Sequence, residues 1–177
     1  PVGEEVIRRL LANWEDYLHA PDGADPLIRM AASHYQFEAI HPFTDGNGRT
    51  GRIVNVLYLV KEGLLDIPVL FLSRYIIANK ADYYEGLRGV TERQDWENWI
   101  LYMLRAVEST AQQTFDQVTR IRALMEQVRE RVQQEAPNIY SKDLIEVIFR
   151  HPYTKIQFLV DAGIAKRQTA SAYLQTL

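Results

Sequence analysis

His41-Pro42-Phe43-Thr44-Asp45-Gly46-Asn47-Gly48-Arg49-Thr50-Gly51-Arg52 admits two readings, and they imply different folds. Gly46 to Gly51 matches G-x-G-x-x-G, and Asp66 lies where a dinucleotide-binding α/β fold keeps its ribose-binding acid. That fold requires a buried strand directly upstream. The upstream residues are instead Leu27, Met30, Ala31, His34, Tyr35 and Ile40, spaced mostly by three, four or five as on a helix. No β-branched run precedes the loop. The stretch therefore joins helices, and the chain reads as all-α.

The residue types in the loop suit the chemistry of phosphates. His41 precedes a proline, which biases its backbone away from helix towards an extended conformation. The helix before it should stop there and leave the imidazole at a loop edge, where it can take a proton from a hydroxyl. Asp45 is a hard carboxylate able to ligate Mg²⁺ alongside ATP phosphates and water. The same residue also suits a helix N-cap. Gly46, Asn47 and Gly48 permit positive-φ or close-approach conformations, so that successive N–H groups can form an anion-binding nest.

A helix is predicted from about Gly48, with Ile53, Val56, Leu57 and Val60 on one face and Gly63 as its stop. Its free N–H groups and positive dipole end would face the same anion. Arg49 and Arg52 add forked donors for phosphate oxygens. Phe43 is expected to anchor the loop in the core. His34 is read as structural, since a metal pair with His41 would lack further ligands.

The twelve residues resemble the signature of the Fic family, H-x-F-x-[DE]-G-N-G-R-x-x-R, at every fixed position. The resemblance implies a Fic-type helical bundle that moves AMP from ATP to a Ser, Thr or Tyr hydroxyl of a target protein. His41 would be the general base. Asp45, Gly46, Asn47, Gly48, Arg49, Thr50, Gly51 and Arg52 would hold Mg²⁺–ATP, with Asp45 on the metal. Downstream, Ile76 to Thr91 carries Tyr83, Tyr84, Leu87 and Val90 at helical spacings, which by itself describes a core helix. By resemblance to a Y-Y-x-x-L segment of the family, Tyr83, Tyr84, Leu87 and Thr91 would line the adenine. Thr91 stands where many relatives have Asn, and a hydroxyl cannot supply an amide's donor-acceptor pair. The loop is shared by transfer of other nucleotides or phosphocholine, phosphate transfer and removal of AMP, so the motif leaves these open. Self-modification is a further expectation.

Size and composition set bounds. A chain of 177 residues can bury one good core plus a small appendage. It has no cysteine, which excludes disulfides and Cys-metal sites. Apolar runs are too short and interrupted to span a bilayer, and no charged-then-apolar signal opens the chain. A cytoplasmic location is expected, with no membrane partner. The first residue is Pro1 rather than Met, so a preceding portion is expected. Relatives carry a β-hairpin flap and an inhibitory helix whose Glu pairs with the second motif arginine, here Arg52. Pro1-Val2-Gly3 reads as the tail of the flap region, and no S/T-x-x-x-E-[GN] motif occurs upstream of His41.

The catalytic domain is expected over residues 1–110, with helices from Glu4 to Leu18 and through Trp96, Trp99, Ile100, Met103 and Leu104. Residues 111–136 form a connecting helix within the amphipathic stretch Ser109 to Glu135, ended by Pro137. It could bridge two domains or form a homodimer face. Residues 137–177 read as a partial winged helix-turn-helix domain, by Ala162-Gly163 and by resemblance of the segment to the module that follows many bacterial Fic domains. Ser141 is predicted to cap Asp143–Phe149, and Thr154 to cap Ile156–Asp161. Lys166, Arg167, Gln168 and Ser171 are the candidate DNA-facing residues. Residues 140–177 hold five Lys and Arg against three Asp and Glu, a modest footprint that also suits a protein contact. A nucleotide-sensing DNA-binding regulator is the alternative of another class.

Overall fold

The helical spacing of Leu27, Met30, Ala31, His34 and Ile40 is met by α2 (Pro26–Ile40), which forms the centre of the N-terminal helices. The computed structural model describes residues 3–177. The expected flap tail at Pro1 and Val2 lies outside the described residues. Asp25 caps α2 by accepting from the N–H groups of Leu27 and Ile28, with Pro26 in the first turn where its missing N–H costs nothing. Met30, Ala31, His34, Phe37 and Ile40 are all buried. Helices α1 (Glu4–Leu18) and α3 (Asn47–Lys61) pack against it.

Two indoles fix this arrangement. Trp14 Nε1 donates to the Ser33 carbonyl at 2.9 Å, and Trp99 Nε1 donates to the Ala31 carbonyl at 2.8 Å. Buried Arg29 ties the α1–α2 turn by donating to the Tyr17 carbonyl and to the Asp22 carboxylate. Gly63, at φ +71°, closes α3 as predicted: its N–H bonds Val60 C=O, and the Leu64 N–H bonds Leu59 C=O.

Three expectations need correction. The helix predicted across Ile76 to Thr91 is broken into α4 (Ser73–Ala78) and α5 (Lys80–Arg93). Asn79 sits between them at φ −119°, ψ 43°, and both its N–H and its side-chain amide donate to the Tyr75 carbonyl. The aromatic segment at Trp96 and the polar segment ending at Glu135 are one helix, α6 (Trp96–Glu135), since no Gly or Pro interrupts them. Finally, Thr154 does not cap α8 (Ile156–Asp161). Lys155 holds the cap position, and the Thr154 hydroxyl donates to the Ile148 carbonyl.

The chain divides into two units, Pro1–Thr114 and Phe115–Leu177, and α6 runs through the division. In the second unit Ser141 caps α7 (Lys142–Phe149), its hydroxyl accepting from the Leu144 N–H. Leu144, Val147, Leu159 and Ala170 form its buried centre. Helix α8 ends on Gly163 at φ +70°, and α9 (Arg167–Thr176) follows after a short turn. The described residues contain helices and no strand, and none of these helices is long and apolar enough to cross a membrane.

Candidate active site

The loop between α2 and α3 builds the site from two helix ends. At the first, α2 stops on His41, whose N–H still bonds the Phe37 carbonyl. Its backbone is left-handed, φ +51° and ψ 58°, rather than extended as expected before proline. A non-glycine residue there is strained, and strain of this kind concentrates at functional positions. The ring is exposed. His41 Nδ1 lies 3.3 Å from the Glu38 carbonyl. A carbonyl can only accept, so in the neutral ring Nδ1 carries the proton and Nε2 the lone pair, which is the tautomer a general base requires.

At the second end, α3 begins at Asn47 after Gly46, which is left-handed at φ +86°. Gly46 has no side chain to cap the helix. The first intrahelical bond runs from the Thr50 N–H to the Gly46 carbonyl, so the N–H groups just before it face outward with the positive end of the dipole. Asn47 is buried, and its amide grips the loop from inside. Oδ1 accepts from the Phe43 N–H at 2.8 Å, and Nδ2 donates to the Phe43 carbonyl at 2.6 Å. This clamp, rather than the Phe43 ring, anchors the loop, for that ring remains half exposed. Replacing Asn47 with Ala should leave both Phe43 groups unpaired, at about 1–3 kcal/mol. Faster hydrogen exchange at the Phe43 amide and a lowered unfolding midpoint would register the loss. Unchanged exchange would count against the clamp.

A cavity of about 460 Å³ opens on this loop, within the usual size of small-molecule sites. Of the sequence candidates, His41, Asp45, Gly46, Asn47, Gly48, Arg49, Arg52, Tyr83 and Tyr84 line it. Thr50 and Gly51 lie one turn further along α3 and do not. Leu87 packs against the core, and the Thr91 hydroxyl donates to Leu87 C=O while paired with Tyr35 Oη at 3.0 Å. Neither lines the cavity. Its wall also includes Glu38, Thr44, Ile76, Ile77 and Lys80, which sequence reasoning missed. Lys80 Nζ sits 5.8 Å over the Tyr84 ring, so its i,i+4 spacing to Tyr84 was the available signal.

The charges are held in defined places. Asp45 accepts from the Gly46 N–H at 2.7 Å and from Arg49 at 3.0 Å. Arg52 Nε donates to the Ser73 hydroxyl at 2.8 Å. Beneath them, buried His34 pairs through Nε2 with Tyr83 Oη at 3.0 Å. Burial first, then the nearby Arg52, lowers the His34 pKa to about 4, so this ring is neutral. Burial, reinforced by Glu38, pushes the Tyr83 hydroxyl far above its ordinary range. One exposed carboxylate at the loop fits Mg²⁺, which takes few protein ligands and completes its shell with phosphates and water. Among the described residues no group of three or more His, Asp or Glu offers a full protein cage. In the second unit Lys166, Arg167 and Gln168 are exposed around the start of α9, with half-buried Ser171 one turn on.

Residues 1–59 match the family model described as Fic/DOC family. Residues 124–177 match that described as protein adenylyltransferase SoFic-like, C-terminal domain. Protein adenylyltransferase fic-1 of Caenorhabditis briggsae is 32% identical over 114 residues, 63% of this chain and 21% of that protein. Protein adenylyltransferase Fic of Nematostella vectensis is 32% identical over 112 residues, 62% of this chain and 25% of its own. A probable protein adenylyltransferase of Aquifex aeolicus (strain VF5) is 40% identical over 88 residues, 50% and 27% respectively. The chain thus spans about a quarter of the length of these relatives.

Proposed function

We propose that this chain, whose residues 1–59 match the Fic/DOC family model, transfers AMP from ATP to a Ser, Thr or Tyr hydroxyl of a target protein. The observation that carries the reading is an uncapped helix start beside two arginines and an imidazole whose Nε2 is free to accept a proton. His41 Nε2 takes the proton of the target hydroxyl. The hydroxyl oxygen forms its bond to the α-phosphorus, the bond from that phosphorus to the bridging oxygen breaks, and pyrophosphate leaves. The N–H groups at the start of α3, with Arg49 and Arg52, hold the phosphate oxygens in line. Mg²⁺ held by Asp45 would neutralise charge on the departing phosphates. Little covalent work falls to the protein, so positioning and charge stabilisation supply most of the rate. Tyr83 and Tyr84 are the proposed adenine wall.

For Lys166, Arg167, Gln168 and Ser171 we favour a protein contact over duplex DNA. Few cations stand there, and specific duplex binding draws on several phosphate contacts.

Incubation with ATP labelled at the α or the γ phosphate, with and without a lysate of candidate targets, tests the reaction. Label from the α position should stay on protein, the chain itself included, and γ label should leave with pyrophosphate. Retained γ label would mean phosphate transfer instead.

A further inference from the structure

Glu38 is an acid in the wall of an anion site, and the mechanism above gives its side chain no task. It sits on the last turn of α2, three residues before His41, and lines the same cavity as the phosphate-binding loop. Its Oε1 is buried without a hydrogen-bond partner. That atom lies against the first turn of α3: a Cβ added to Gly51 would stand 3.0 Å from it, and one added to Gly48 3.7 Å. The buried His34 Nδ1, likewise unpartnered, lies 3.1 Å from the same Gly51 position.

Arg52 and His41 stand near, but neither hydrogen-bonds the buried Glu38 Oε1. Arg52 gives its Nε to Ser73, and His41 gives Nδ1 to the Glu38 backbone carbonyl. An ionised carboxylate in this place would be poorly paired and would repel the phosphates the loop is built to hold. The neutral acid has neither fault, and it adds a hydrogen-bond donor.

We propose that the Glu38 carboxyl is a ligand-responsive acid, which takes one proton from solvent as a nucleotide's phosphates dock and donates a hydrogen bond to a phosphate oxygen. The inference rests on the nucleotide-binding reading of this cavity and adds a specificity-determining residue to it. The groups that face Glu38 are His34 one turn earlier on its own helix, His41 at that helix's end, Arg52 from α3 and Tyr83 from α5. Burial raises the Glu38 pKa, and His41 and Arg52 oppose that rise. An arriving polyanion occupies Arg52 and adds negative charge, so both changes favour the protonated form. Proton uptake on binding means that affinity falls as pH rises, by linkage.

The experiment is calorimetric titration of ATP, without divalent metal, into the whole chain and its E38Q variant, in buffers of differing ionisation heat near neutral pH. The natural chain should take up more protons on binding than E38Q. The amide keeps a donor without a charge, so E38Q should bind ATP at least as tightly in alkaline buffer. Equal uptake by the two proteins would overturn the proposal, as would weaker alkaline binding by E38Q. A difference infrared spectrum of the natural chain, ATP-bound minus free, gives an independent readout even where E38Q folds poorly. A protonated-carboxyl stretch should emerge on binding and shift in E38D, and its absence would overturn the assignment. ATP binding with no such signals removes only this inference, whereas no ATP binding at all removes the proposed function with it.

Discussion

His41→Ala should lower AMP transfer by about 10²–10⁴-fold, the usual contribution of a positioned general base. ATP affinity should change little, because the proposed phosphate holders are the start of α3, Arg49 and Arg52 rather than the imidazole. The left-handed backbone at position 41 complicates this comparison, since Ala resists φ +51°. Asn tolerates that conformation and carries no base. His41→Asn should therefore match the alanine variant in rate while retaining natural stability. Single-turnover transfer of α-label together with ATP titration separates the two quantities. Transfer within a few-fold of the natural rate in both variants would remove His41 from its role.

The second large effect is expected far from the loop. Trp99 is fully buried, bonds the Ala31 carbonyl, and lies among His34, Tyr83 and Tyr102 with ring centroids 5.7–6.0 Å away. Gly86 leaves room for it: a Cβ there would stand 2.9 Å from Trp99 Cε3. Trp99→Ala should cost about 3–5 kcal/mol, against a total of about 5–15 kcal/mol for a typical domain. Because His34 and Tyr83 rest on this ring, nucleotide binding should weaken along with the fold. Trp99→Phe keeps most of the apolar volume and loses the indole bond, so its penalty should be the smaller. Denaturant titration followed by circular dichroism, reading the transition of the first unit, measures both. A cost for Trp99→Ala below about 1 kcal/mol would deny the ring its central place.

What could be read in the sequence was local. Helix ends marked by Gly63, Ser141 and Gly163 carry their signal in one residue, and each closes or opens its helix where expected. The loop was legible for the same reason, since His41 to Arg52 are contiguous. What helical spacing could not read depended on rotation or on backbone angles. Whether Leu87 and Thr91 face the cavity is set by how α5 rolls, and Tyr83 fixes that roll by turning its hydroxyl inward to His34. The break at Asn79 lies in its own backbone, at φ −119° and ψ 43°, which helical spacing cannot reveal. Glu38 was missed because a lone acid near a helix end ordinarily faces water. Only the approach of Gly48 and Gly51 encloses it.

Asp45 and Arg49 hold one another across the first turn of α3. The loop therefore supplies its own counter-charges while it waits. A divalent cation seated on Asp45 would turn Arg49 loose, and a phosphate drawing Arg49 away would lay Asp45 bare. Each visitor would thus prepare the seat of the other, and a pair worth little as a fastening would become the means by which two ligands favour one another.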